Sequence, residues 1–194
     1  MRVSKEKAAE HREQILKSAA RLFREQGISA TGVDSIARKT GLTHGAVYSQ
    51  FGSKESIAIE AIRRALRDSR RAWLRMMERR DRQKIFPAIV ESYLSERHRD
   101  EPGQGCLVAA LASDIARQPR NVRDAFTEEF EDALKFLAGL VGSDDSSITE
   151  EDALAAFSFM AGAMMLSRAV SDDGLSQRIL RAASKRIVNC VKTE

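Results

Sequence analysis

Residues 23–57 read FREQGISATGVDSIARKTGLTHGAVYSQFGSKESI, and the spacing of glycines and apolar residues in this stretch decides the fold. Val33, Ile36 and Ala37 recur at helical spacing, and Gly41 breaks the run. A second short helix is expected over 43–51, opened by Thr43, whose hydroxyl can accept a free backbone N–H. Two short helices joined by Thr40-Gly41-Leu42 have the dimensions of a helix-turn-helix. Gly41 suits the left-handed conformation that so tight a turn needs. Ile36, Ala37, Leu42 and Val47 would fix the second helix against the first, and Ala37 is small where the two must approach closely.

This arrangement leaves His44, Gly45, Ala46, Tyr48 and Ser49 on the outer face of the second helix. A major groove accepts such a helix, whose N-terminal residues reach the base edges. Thr43 and His44 are suited to phosphates or bases, and the Ala46 methyl to a thymine methyl. Gly45 lets the backbone come near DNA. The Tyr48 hydroxyl can reach a phosphate, while Lys54, opening the next helix, adds charge beside free amides. On their own, such helical pairs are common, and packing without DNA would produce the same pattern.

On either side of this stretch the chain is helical. The first helix is expected over about 4–26, carrying Ile15, Leu16, Ala19, Ala20, Leu22 and Phe23, with Gly27 as its cap. Ser53 caps a helix from Lys54 to about Arg80. Further helices are expected at 83–98, 106–117, 120–141, 149–171 and 174–192. They are separated at Pro102-Gly103-Gln104-Gly105, Pro119, Gly142-Ser143-Asp144-Asp145 and Asp172-Asp173-Gly174. Pro87 belongs in an early turn of its helix. No strand-like alternation or repeat is present, so the fold class is all-α. About nine helices form an N-terminal helix-turn-helix domain over 1–53 and a larger domain over 54–194.

Charge divides the chain in the same sense. Lys and Arg outnumber Asp and Glu by 20 to 10 in residues 1–84, and are outnumbered 12 to 18 in residues 85–194. A basic head on an acidic body is what a polyanion binder would show, although solvated Arg-rich helix faces would show it too. Cys106 and Cys190 make neither a disulfide framework nor a zinc site, and His11, His44 and His98 lack metal-ligand spacing. No metal, cofactor or catalytic residue is expected: there is no Ser-His-Asp arrangement and no phosphate-cradling glycine loop. Residues 1–14 lack the apolar core of a signal peptide, and Ala153–Leu166 is too short and interrupted for a membrane span. The expected compartment is the cytoplasm, with no membrane partner.

The helix-turn-helix stretch resembles the DNA-binding domain of the TetR family. Phe23, Gly27, Thr31, Val33, Ile36, Ala37, Gly41, Gly45, Tyr48, Phe51, Lys54 and Glu55 fall in register with that family's pattern. Gly32, Val47 and Gln50 depart from it, standing where a threonine, a leucine and a histidine are common. The second helix is therefore capped by Thr31 or by backbone alone. The resemblance covers about the first 60 residues. It implies three helices for DNA, Thr31 among the contacting residues, and a body that binds a small molecule and pairs with a second copy. Effector binding would then change the spacing of the two heads on double-stranded operator DNA.

For an effector pocket the resemblance points to aromatic, Met and Cys side chains of the body: Trp73, Met77, Phe86, Tyr93, Cys106, Phe126, Phe130, Phe157, Met160 and Met164. Each also suits an ordinary core position. For the homodimer interface, Ala155, Phe159, Gly162, Ala163 and Leu166 mix small and large residues, and Leu175, Ile179, Ala183 and Ile187 form a stripe. Two helices from each subunit would make a four-helix contact, though packing within one chain explains part of the pattern. Cys106 is expected in the first turn of its helix, where backbone amides favour a reactive thiolate, or else as a small buried hydrophobe. Gly105-Cys106-Leu107 resembles the start of this helix in a subset of family members, some of which sense electrophiles or oxidants through cysteine. A ligand-responsive repressor is the expected function. A sequence-tolerant DNA-coating protein, suggested by the Arg-rich run Arg63–Arg82, is the alternative.

Overall fold

The structure, a computed structural model, describes residues 4–78, 81, 84–141 and 149–190. Ten α-helices follow one another without a strand among the described residues: α1 (Lys5–Gln26), α2 (Val33–Thr40), α3 (His44–Phe51), α4 (Lys54–Met77), α5 (Ile85–Tyr93), α6 (Glu96–Asp100), α7 (Leu107–Ile115), α8 (Arg120–Val141), α9 (Glu150–Ala169) and α10 (Asp173–Cys190). A 3₁₀ turn, Pro102–Gln104, joins α6 to α7.

Local chemistry sets the helix ends. The side chains of Ser4, Thr43, Ser53 and Thr149 each accept a backbone N–H three residues on, satisfying a donor that would otherwise be orphaned. Gly41 closes α2 at φ 69°, ψ 18°, a left-handed conformation that costs a side-chain-bearing residue roughly 1–2 kcal/mol. Pro87 is the third residue of α5, where its missing N–H leaves no helical bond unmade.

The helix expected over 83–98 is two helices. After Tyr93 the chain turns at Leu94, and Ser95 caps α6 by accepting from His98 N–H at 3.2 Å. Gly32, extended and without a side-chain bond, is the N-cap of α2, so Thr31 does not cap it.

One continuous core runs through head and body. Ile15, Phe23, Ile36 and Val47 are fully buried under α1–α3, and Ile57, Ile62, Leu111, Leu137, Met160 and Met164 continue the core through the body. Helix α1 packs on α2 and also on α4, α7 and the 3₁₀ turn. The head is therefore seated on the body through one long helix.

Helix α4 runs along α8, and their charges interlock. Arg63 pairs with Glu128, Arg67 with Glu129, and Arg70 with both Glu129 and Asp132 at 3.1–3.6 Å. Arg64 pairs with Glu13 and Asp68, and Arg71 with Asp68. Such surface pairs contribute little stability each, about 0–1 kcal/mol. Their consequence is electrostatic: the arginines from 63 to 71 face carboxylates of α1, α4 and α8, so that part of the Arg-rich run is no open polyanion-binding strip.

Candidate nucleic-acid interface

Helix α3 buries one edge and exposes the other. Val47 and Phe51 turn into the core, while Thr43, His44, Gly45, Tyr48 and Ser49 are exposed and Ala46 is half-buried. Thr43 Oγ1 accepts from Ala46 N–H at 3.2 Å, and Ser49 donates to the Ala46 carbonyl at 2.9 Å. A side chain at Gly45 would meet no atom within 4 Å, so the backbone there is bare. The Tyr48 ring, 41% exposed, meets the His44 ring edge-on with centroids 4.7 Å apart. His44 Nδ1 also lies 3.4 Å from Asp34 on α2. An exposed polar face with an aromatic prop and no covering element fits a duplex groove.

Two of the expected contact residues are placed otherwise. Thr31 is fully buried, and its hydroxyl donates to the Gly27 carbonyl at 2.7 Å, tying the α1–α2 turn together. It cannot reach DNA, and its position is structural. Lys54 opens α4 as expected, but its ammonium donates to the Ser29 carbonyl at 3.0 Å.

Arg12 is a residue that the sequence did not flag. Its guanidinium donates to the Gln50 carbonyl at 2.6 Å, pairs with Glu60 on α4, and lies 4.2 Å over the Phe51 ring. It clamps the C-terminal end of α3 between α1 and α4. On α2, Arg38 and Lys39 are exposed with no carboxylate partner among the described residues.

The turn entering α2 is also fastened to the body. Asp114 of α7 is buried, and its carboxylate accepts from the N–H of Ile28, from Ser29 N–H at 3.4 Å and from the Ser29 hydroxyl at 3.2 Å. Gln118 donates to the same hydroxyl at 3.2 Å. Gly27, at φ 89°, stands so close that a Cβ would lie 3.3 Å from Asp114 Oδ2.

A cavity of about 730 Å³ lies between α1, α4, α5 and the segment 95–106. Trp73, Tyr93, Cys106 and Phe157 of the expected pocket residues line it; Phe86, Met160 and Met164 are buried core, and Phe126 and Phe130 pack on the core beside it. The side chain of Met77 lies outside the described residues. Cys106 is the N-cap of α7, not part of its first turn, and is buried. Its N–H donates to His98 Nε2 at 2.8 Å, while Nδ1 of the same ring faces the Tyr93 carbonyl at 2.5 Å. Accepting at Nε2 requires the neutral imidazole with its proton on Nδ1. Burial holds the His98 pKa below its ordinary value, consistent with that form.

Large apolar side chains are exposed mainly on α9 and α10. Phe159, Leu166 and Leu175 are 48%, 59% and 40% exposed, and Leu154 and Met165 lie on the same two helices. Ala155 is exposed, and Gly162 and Ile179 are half-buried. Ala163, Ala183 and Ile187, expected on the interface, are buried within the chain itself and belong to its core.

Residues 15–61 match the family "Bacterial regulatory proteins, tetR family", and residues 86–183 match "Tetracyclin repressor-like, C-terminal domain". The HTH-type transcriptional regulator LmrA of Bacillus subtilis is 30% identical over 123 residues, which are 62% of this chain and 65% of LmrA. The HTH-type transcriptional regulator AcrR of Shigella flexneri is 42% identical over 59 residues, 30% of this chain and 27% of AcrR. These matches span less than two thirds of either relative's length. A TetR transcriptional regulator from Chloroflexus aurantiacus has the same fold: TM-score 0.78 at 21% identity, covering 97% of this chain and 98% of that one. The relatives are regulators, not enzymes. With both halves of the chain matched, it belongs to the TetR family of bacterial regulatory proteins.

Proposed function

We propose that the chain is a ligand-responsive transcriptional repressor, acting in the cytoplasm as a homodimer on a palindromic DNA operator. The division of labour is a DNA-reading head over residues 1–53 and an effector-binding, dimerising body over 54–194. The observation that carries the reading is the uncovered polar face of α3, with Thr43, His44, Gly45, Tyr48 and Ser49 open to a groove. Ala46 completes that face, and Lys54, Arg38 and Lys39 carry positive charge on the neighbouring helices α2 and α4.

Pairing of two copies is supported by the apolar surface of α9 and α10. Ala155, Phe159, Gly162, Leu166, Leu175 and Ile179 lie on or at its edge, and exposed large side chains grouped on two helices mark a covered surface. A two-fold pair would bury the same residues from each copy in a four-helix contact.

The cavity is the effector site, lined by Trp73, Tyr93, Cys106 and Phe157. Helix α7 joins it to DNA: Cys106 at its start is on the cavity wall, and Asp114 near its end holds the turn before α2. A ligand that displaces α7 would therefore tilt the head.

Selection of bound duplexes from random DNA by the full-length protein tests this reading. A short inverted repeat, with half-sites one or two helical turns apart, is the expected product. Affinity for it should fall steeply with salt. Uniform recovery of unrelated sequences would favour a DNA-coating role instead, which the paired arginines of α4 argue against.

A further inference from the structure

Buried arginines ordinarily carry carboxylate partners, because an unpaired charge away from water is costly. Among the described residues Arg24 and Arg168 have no ion pair, although both are half-buried and other half-buried arginines, such as Arg64 and Arg70, do. Arg24 lines the cavity and donates from Nε and Nη2 to the Gly103 carbonyl, at 3.0 and 2.6 Å. Arg168 donates from Nε to the Arg99 carbonyl at 3.0 Å and from Nη2 to the His98 carbonyl at 2.5 Å, leaving Nη1 buried with no partner. Its guanidinium packs on the cavity wall so closely that a Cβ at Gly105 would stand 3.2 Å from Nη2.

Tyr93, on the same cavity as Arg24, is 6% exposed, yet its hydroxyl also has no hydrogen-bond partner. Burial first, and then the nearby Cys106 thiol, push the Tyr93 pKa well above its ordinary value. Leaving one buried polar group unsatisfied costs on the order of 1–3 kcal/mol. Two such groups occur among the described side chains: Tyr93 lines the cavity, and Arg168 lies behind its wall at Gly105. Lys17 on the wall has no ion pair among the described residues either, whereas the remaining cations there are engaged: Arg64 with Glu13 and Asp68, Arg97 with Glu101, and Arg21 with Glu25. Trp73, Ile89 and Phe157 add apolar surface to the lining, the Phe157 ring lying 5.9 Å from that of Tyr93.

We infer that the cavity holds a carboxylate pocket, in which Arg24 and the Tyr93 hydroxyl receive the anionic head of an organic acid and Arg168, behind the wall at Gly105, adds positive charge. The acid's apolar body lies against Trp73, Ile89 and Phe157. The inference rests on the cavity being the effector site and names the chemical class of that effector.

Trp73 is the only tryptophan of the chain, so its fluorescence reports on the cavity directly. The full-length protein is titrated with matched acids and alcohols on decyl and naphthylmethyl skeletons, and release of the selected operator is followed in parallel. The acids should bind about tenfold or more tightly than their alcohols, the gain expected from charge-assisted hydrogen bonds. Tyr93→Phe and Arg24→Gln should each take back about tenfold of that preference and leave alcohol binding unchanged. Without ligand, Tyr93→Phe should melt no lower than wild type, since only an unpartnered hydroxyl is lost. Alcohols binding as well as acids, or a preference that survives both substitutions, overturns the carboxylate pocket. If the alcohols then release the operator, the effector reading stands without it. If the acids bind with the stated preference and the operator stays bound, the pocket stands and the effector reading falls. No response of Trp73 to any of the compounds rejects both.

Discussion

Helix α3 and the outer stripe of α9 are both exposed, and for opposite chemical reasons. The exposed edge of α3 is polar and small apart from Tyr48, whereas α9 presents Phe159 and Leu166 at about half exposure. Water solvates the first surface at no penalty. The second leaves apolar area that burial against another surface would stabilise, at roughly 25 cal/mol per Å². A surface suited to a hydrated polyanion and one suited to an apolar mate thus lie on the same chain, far apart in sequence. Exposure alone does not mark an interface, and the chemistry of what is exposed selects the partner.

Charges placed on the apolar stripe should break this comparison most severely. Phe159→Asp with Leu166→Asp is expected to leave a folded monomer of 21.6 kDa by light scattering. Operator affinity should drop by about a hundredfold or more, because each head then binds alone. A dimer of unchanged affinity would remove α9 from the interface.

The joint between head and body comes next. Asp114→Ala leaves the Ile28 and Ser29 amides without their acceptor, and should cost about 1–3 kcal/mol in denaturant unfolding. If α7 carries the signal, the same substitution should blunt the response to effector more than it weakens DNA binding. A variant as stable and as responsive as wild type would show that the joint is incidental.

Thr31→Val keeps the shape of the side chain and removes the bond to the Gly27 carbonyl. It should cost about 1 kcal/mol of stability and leave operator affinity unchanged. A selective loss of DNA binding would return Thr31 to the interface.

The smallest effect expected is that of pH. His98 has a folded pKa below its ordinary value, so its contribution is fully present above about pH 6.5 and is lost as pH falls through the lowered value. Protonation at Nε2 also removes the acceptor for Cys106 N–H. Thermal melts between pH 5 and 7 should therefore steepen with acid in wild type and less so in His98→Gln. Equal slopes would contradict this role.

What could be read from sequence divides along the same line as the two surfaces. The head is written in local signals: Thr43 and Ser53 as caps, Gly41 as the left-handed stop, and the apolar period of Ile36, Ala37 and Val47. Local signals also existed for the break at Ser95, but continuous helical composition on either side masked it. Thr31 was misplaced because a threonine before a helix resembles a cap, and only the fold shows that it turns inward. In the α10 stripe of Leu175, Ile179, Ala183 and Ile187, periodicity cannot say which members face the same chain; Ala183 and Ile187 do. Arg12 with Glu60, Asp114 with Ile28, and Arg168 with His98 join residues 48 to 86 positions apart. No spacing rule within one helix reaches such pairs.

Everything functional depends on α3 reading bases. The decisive measurement is the affinity of wild type and of His44→Ala/Tyr48→Ala for the selected duplex and a scrambled one, by fluorescence anisotropy at fixed salt. Wild type should prefer the selected duplex strongly, and the double variant, equally helical by circular dichroism, should bind the two alike with weak residual affinity. A double variant that still discriminates as well as wild type would mean that some other surface reads the sequence.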